Sequence, residues 1–273
     1  GASLKWFDLD DEGRIRSDSA DEVITERTKI VAVTHVGNTT GAITDIAPII
    51  RRAHEVGAVF ILDACQSVPH LKVDFHALDV DFAAWSAHKM YGPTGVGFLY
   101  GKRDMLEALP PANFGGSMVE LAWMDQEARY MEPPARFEAG TQPVAQVVAA
   151  GVAADWLMAI GMENLEAHER TITDELLALG DIEGVRILGP RSNERRIGTI
   201  AFEVEGVHPH DVGQFIDAQG IAIRVGHHCA QPVHRHFGVY ASNRASSGIY
   251  NAVEDAQALI ETVKQVRPFF GVK

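Results

Sequence analysis

Val59-Phe60-Ile61-Leu62-Asp63 is an apolar run that ends on a carboxylate. Gly57 stands just before it, and a short run so bounded reads as a buried strand. Working outward, Lys29-Ile30-Val31-Ala32-Val33-Thr34-His35 is an earlier β-branched run, and Asp81–Ser86 and Val96–Tyr100 are later ones. Between the first two, Ile46, Ile49, Ile50 and Ala53 fall on one helical face. Thr44 is placed as the N-cap of that helix, Pro48 sits in its first turn, and Gly57 ends it. Nearly continuous apolar strands alternating with helices predict an α/β fold with a mainly parallel sheet covered on both faces.

Beyond about Gln142 the pattern changes. Long helices are predicted over Pro143–Ile160 and Met162–Leu179, then strands at Val185–Leu188 and Thr199–Val204. A helix at His210–Ala218, a strand at Ile221–Val225 and one closing helix over Val253–Phe269 follow. This mixed order predicts a smaller α+β domain, with the chain divided into residues 1–155 and 156–273.

The chain has 273 residues, enough for two domains, and 37 acidic against 24 basic residues give a net charge of −13. That balance argues against a general nucleic-acid or anionic-membrane partner, since both are bound through basic patches. Cys65 and Cys229 are the only cysteines, too few for a disulfide framework, which points to a reducing, cytoplasmic setting. No apolar run approaches the length of a membrane span. The sequence begins at Gly1 without a Met or a signal-peptide pattern, so it is expected to start inside a larger protein or at a trimmed tag.

Ligands of open α/β sheets bind beyond the carboxyl ends of the strands. Asp63 and Gln66, Ser86, His88 and Lys89, and His35 and Asn38 follow three such ends. Taken alone, Asp63 reads as an ordinary turn or cap carboxylate. Lys89 follows an apolar strand, and a desolvated lysine becomes a nucleophile toward carbonyls. The Gly92–Gly97 loop carries neither a P-loop ending nor a dinucleotide fingerprint. Arg224-Val225-Gly226-His227-His228-Cys229-Ala230, with His234 and His236, reads as a reactive thiol favoured by its basic neighbours, or else as a metal site. Against metal, there is no second nearby Cys and neighbouring strand side chains point apart. Cys65 reads as an inert core residue.

Asp63-Ala64-Cys65-Gln66, Ser86-Ala87-His88-Lys89 with Tyr91-Gly92-Pro93-Thr94-Gly95, Arg136–Thr141 and Arg224–Cys229 together resemble the SufS-type (group II) cysteine desulfurases. Those are class V, fold-type I enzymes that use pyridoxal 5'-phosphate (PLP). The resemblance spans the whole chain, and the Arg-x-Gly-His-His-Cys segment narrows it to desulfurases and selenocysteine lyases. It implies an aspartate-aminotransferase-like large domain, a smaller C-terminal domain carrying the cysteine loop, and no metal.

Residue by residue, the resemblance implies that Lys89 anchors the cofactor and moves the substrate Cα proton. Asp63 would meet the pyridine nitrogen and Gln66 the ring hydroxyl, with Ser86 and His88 on the phosphate. Thr141 would reach the phosphate of the neighbouring subunit of a homodimer. Asn38 and Arg244 would hold the substrate carboxylate, Arg224 would line the pocket, and Cys229 would be the nucleophile. The implied reaction converts L-cysteine, or L-selenocysteine, to L-alanine and leaves a persulfide on Cys229. A SufE- or SufU-type acceptor would then take that sulfur for iron–sulfur cluster assembly. The alternatives are a selenocysteine lyase or related class V enzyme, a non-catalytic partner or scaffold, and a thiol or metal sensor. Two departures stand out: Val225 replaces the usual Thr, and the family has a preceding region with a ring-stacking histidine and a Gly-Thr-Thr type phosphate turn.

Overall fold

The computed structural model describes residues 1–272. In chain order the elements are α1 (Ala20–Val23), β1 (Ile30–Thr34), α2 (Ile46–Glu55), β2 (Val59–Asp63), β3 (Phe82–Ser86) and β4 (Gly97–Gly101). Next come α3 (Arg103–Ala108), β5 (Val119–Leu121), β6 (Arg129–Tyr130), α4 (Val144–Ile160) and α5 (Met162–Leu177). The remainder is β7 (Val185–Leu188), β8 (Thr199–Val204), α6 (Pro209–Asp217), β9 (Arg224–Gly226), α7 (Gln231–His236), β10 (Ser242–Ser246), α8 (Val253–Val263) and α9 (Val266–Phe269).

The first sheet has the order β1-β2-β3-β4, with β1, β2 and β3 parallel and β4 antiparallel to β3. Val31, Val33, Phe60, Leu62 and Ala83 alternate onto one face and pack with the predicted stripe of α2, Ile46, Ile49, Ile50 and Ala53. The opposite face is not covered as the sequence pattern predicted. Ile30 is 63% exposed and Leu99 59%, and Ala32, Asp63 and Ala84 are exposed between them. Continuous apolar runs made both faces look alike, but α2 packs against only one. A further difference lies at the start of α2, where Asp45 and not Thr44 precedes the helix. The Thr44 hydroxyl donates instead to Thr34 O at 2.9 Å.

The second sheet, β7-β8-β10-β9, is antiparallel throughout. Ile187, Ile200, Phe202 and Ala245 face a core completed by Ile172 and Leu176 of α5, Val212 and Ile216 of α6, and Leu259 and Val263 of α8. Leu188 and Ala201 face the other way, onto Phe237 after α7. The predicted strand at Ile221–Val225 is displaced to Arg224–Gly226, and the closing helix breaks into α8 and α9. No single helix among the described residues is long and apolar enough to cross a membrane.

The two sheets are joined by the loop after β1. Ile197 N donates to Gly41 O and Ile43 N to Arg195 O, both at 2.9 Å. Gly41 has φ +70°, and a Cβ there would lie 2.4 Å from Thr199 O. Gly57 has nearly the same φ, +69°, but open space around it. Gly57→Ala is therefore expected to cost about 1 kcal/mol in urea unfolding, the backbone strain alone. Gly41→Ala is expected to cost about 2 kcal/mol more, because backbone must move as well.

Val225 lies directly opposite Asn243 and packs against Gly213 of α6, on the face of β9 away from Arg224. Asn243 is fully buried, and neither its Nδ2 nor its Oδ1 has a hydrogen-bond partner among the described residues. Val225→Thr would put a hydroxyl across from that amide, and a gain of about 1 kcal/mol is expected in the same unfolding experiment.

Candidate active site

Three of the predicted residues gather around Cys65, on the open side of the first sheet. Asp63 ends β2, opposite Ala84, and its Oδ1 accepts from Cys65 N at 3.0 Å. Ser86 ends β3, with its Oγ 3.8 Å from Cys65 Sγ. Burial and the Asp63 carboxylate push the Cys65 thiol up from its ordinary value, while the Lys89 charge pulls it down. Cys65 is half-buried, not the core residue expected, because it starts the turn beyond the strand.

Lys89 closes the single 3-10 turn Ala87–Lys89 after β3. It is exposed, as are His88 and Asp63, whereas Gln66 is half-buried. The desolvation expected for Lys89 is thus not met: Ala87 is the buried member of the turn, and Lys89 stands on the uncovered side. Thr141 is exposed on the segment leading into α4.

The other group of predicted residues converges at the β9–β10 edge of the second sheet. Arg224 and Arg244 are direct cross-strand partners. Like charges in that position repel, and burial together with Arg224 holds the Arg244 guanidinium below its ordinary pKa. Its Nε is buried with no hydrogen-bond partner among the described residues. Two facing guanidiniums with an unspent donor suit an anionic group such as a carboxylate.

Arg244 Nη1 donates to Asn38 O at 2.9 Å, and Asn38 Nδ2 donates to His228 O at 2.6 Å. Asn38 therefore touches both the arginine and the cysteine turn. Its loop also connects the two groups, since His35 N donates to Asp63 O at 2.9 Å just beyond β1.

Cys229 is exposed at the tip of its turn. His228 beside it is buried, and burial next to Arg244, His234 and Arg224 lowers its pKa to about 4, so it is neutral at physiological pH. His228 and His234 both bind the hydroxyl of Ser242, at 3.0 and 2.9 Å, and those ring nitrogens are directed at that hydroxyl and not toward a shared metal position. Sequence reasoning missed Ser242 and the role of His234. Ser242-Asn243-Arg244-Ala245-Ser246 has neither an apolar run nor an alternation that would announce a strand.

A family model described as Aminotransferase class-V matches residues 1–259. "Probable cysteine desulfurase 2" of Mycobacterium leprae is 48% identical over 272 residues, covering 99% of this chain and 64% of that protein. The cysteine desulfurase of Haloferax volcanii is 42% identical over 275 residues, covering 99% and 63%. Among solved structures, the cysteine desulfurase CsdA of Escherichia coli superposes with a TM-score of 0.90 at 35% identity, over 96% of this chain and 64% of that one. The apo cysteine desulfurase of Thermococcus onnurineus superposes with a TM-score of 0.91 at 33% identity, over 96% and 65%. The chain thus spans somewhat less than two thirds of the length of these relatives. With the fold, the strand-end Asp63 and Lys89 and the family model in agreement, the chain belongs to the aminotransferase class-V family.

Proposed function

We propose that this chain forms the greater part of a PLP-dependent cysteine desulfurase that takes sulfur from L-cysteine onto Cys229 and releases L-alanine. The observation that carries this reading is the joining, through the Asn38 loop, of the Asp63/Ser86/Lys89 group at the carboxyl ends of β2 and β3 to a facing pair of arginines beside an exposed thiol.

The donor set fits PLP. Asp63 offers a carboxylate for a protonated pyridine nitrogen, Gln66 an amide for the ring hydroxyl, Ser86 and His88 donors for phosphate, and Lys89 an amine for the carbonyl carbon. All stand at or beyond the carboxyl ends of β2 and β3. Bound there, PLP supplies an electron sink for the bond broken at the substrate Cα.

The chain's own residues do the rest. Arg244 and Asn38 hold the substrate carboxylate, with Arg224 on the same face. The Lys89 amine carries the Cα proton. The Cys229 thiolate attacks the substrate sulfur, forming an S–S bond as the C–S bond breaks, and keeps that sulfur as a persulfide.

A homodimer and a SufE- or SufU-type acceptor in the cytoplasm belong to the same proposal. The exposed Leu121 at the end of β5, Trp123 and Met124 just after it, and Val144, Val148 and Val152 on α4 flank Thr141 in sequence and support an interface there. The exposed Cys229 supports hand-over to another protein.

Cys229→Ala is expected to lower alanine release from L-cysteine by at least about a thousandfold while leaving the visible absorption of lysine-bound PLP intact. Lys89→Ala should abolish both. Alanine release by Cys229→Ala at the rate of the unaltered protein would contradict the proposal.

A further inference from the structure

His228 and Cys229 have φ values of 51° and 60°, and Ala230 N donates to His227 O at 2.8 Å. A four-residue turn with two successive positive φ angles is of the kind that favours Asn-Gly, because side chains with a Cβ are strained there. A His-Cys pair in those positions needs outside support. Part of it is the bond from Asn38 to His228 O. The remainder converges on one atom, Ser242 Oγ, on the neighbouring strand β10.

The hydrogens of this network are set by elimination. His234 Nδ1 lies 3.0 Å from Ala230 O, and a carbonyl only accepts, so Nδ1 carries the hydrogen. In neutral His234, Nε2 is then bare and accepts from the Ser242 hydroxyl at 2.9 Å. That hydroxyl has a single hydrogen, so its oxygen accepts from His228 Nε2–H at 3.0 Å. His228 is left with a bare, buried Nδ1 that has no partner among the described residues. Ser242 is fully buried, and His228 and His234 are 3% and 1% exposed, so water does not readily substitute for any of these bonds.

We propose that Ser242 is the positioning residue of the thiol: by joining His234 to His228 it fixes both imidazole tautomers and holds the strained turn that presents Cys229 beside Arg244. The value of this position for sulfur uptake rests on the desulfurase reading, but the geometry does not.

The test is the rate of Cys229 alkylation by iodoacetamide at fixed pH, read by mass spectrometry of the Cys229 peptide, in the protein and in Ser242→Ala. The imidazole 15N shifts are recorded in parallel. Ser242→Ala is expected to slow alkylation about tenfold, as a loss of about 1.4 kcal/mol would, because the turn no longer holds the thiol in its exposed position. The 15N shifts of the unaltered protein should show one bare Nδ1, on His228, and one bare Nε2, on His234, and Ser242→Ala should lose that pattern.

If Ser242→Ala does not fold, two changes at His234 keep the test. His234→Gln keeps an acceptor for Ser242 and should stay close to the unaltered rate, whereas His234→Leu removes it and should be slow. An unchanged or faster rate in the variants lacking the hydroxyl or its acceptor, or an unchanged tautomer pattern in Ser242→Ala, would overturn the inference. Absence of a Cys229 persulfide in the unaltered protein with L-cysteine and PLP would instead sink the desulfurase reading and leave this result standing.

Discussion

The arrangement of the site depends on one buried guanidinium. Arg196 is 5% exposed and donates to Thr40 O, Thr199 O, Ile197 O and Pro190 O. No carboxylate pairs with it among these contacts; carbonyl dipoles from two segments of the chain take the place of water. Burial lowers its pKa to about 10, so it keeps its charge at neutral pH. The consequence is positional. The loop carrying Asn38 belongs to the first sheet by sequence but is fastened to the strands of the second, and Gly41 permits the close approach. Without that fastening Asn38 would not reach His228 and Arg244, and the thiol turn would have no fixed relation to Asp63 and Lys89.

Two features of the molecule run against local stability and both lie at the site. Arg224 faces Arg244 across a strand pair, and the open side of the first sheet leaves Leu99 in solvent opposite Ala84, itself the cross-strand partner of exposed Asp63. A like-charged pair is tolerable where an anion is to be bound, and an open strand end is where an α/β sheet takes its ligand. The positive φ angles of His228 and Cys229 add a third departure of the same kind. Such departures concentrate where structure has been shaped for binding or chemistry.

Much of this was legible in the sequence, and what was not has physical reasons. The stripe Ile46, Ile49, Ile50 and Ala53 announced α2 because a buried helical face must repeat at helical spacing, and Val59–Asp63 announced β2 because both sides of that strand are apolar. The motif residues led to Asp63, Ser86, Lys89, Asn38, Arg224, Arg244 and Cys229, which the fold draws into two groups joined by one loop. The polar strand β10 stayed hidden: its side chains answer to Ser242's imidazole partners, to Asn38 and to Arg224, none of them near in sequence. The exposure of Lys89 was equally unreadable, since an apolar strand before a lysine says nothing about what covers the lysine. Cys65 was misplaced in the core for the same reason.

The central claim is that sulfur from the substrate arrives on Cys229. The most direct measurement is peptide mass spectrometry after incubating the protein with PLP and L-cysteine, trapping persulfides before digestion. The account expects one additional sulfur on the peptide containing Cys229 and none on the peptide containing Cys65. Alanine released with Cys229 unmodified throughout, or sulfur found on Cys65 instead, would contradict it.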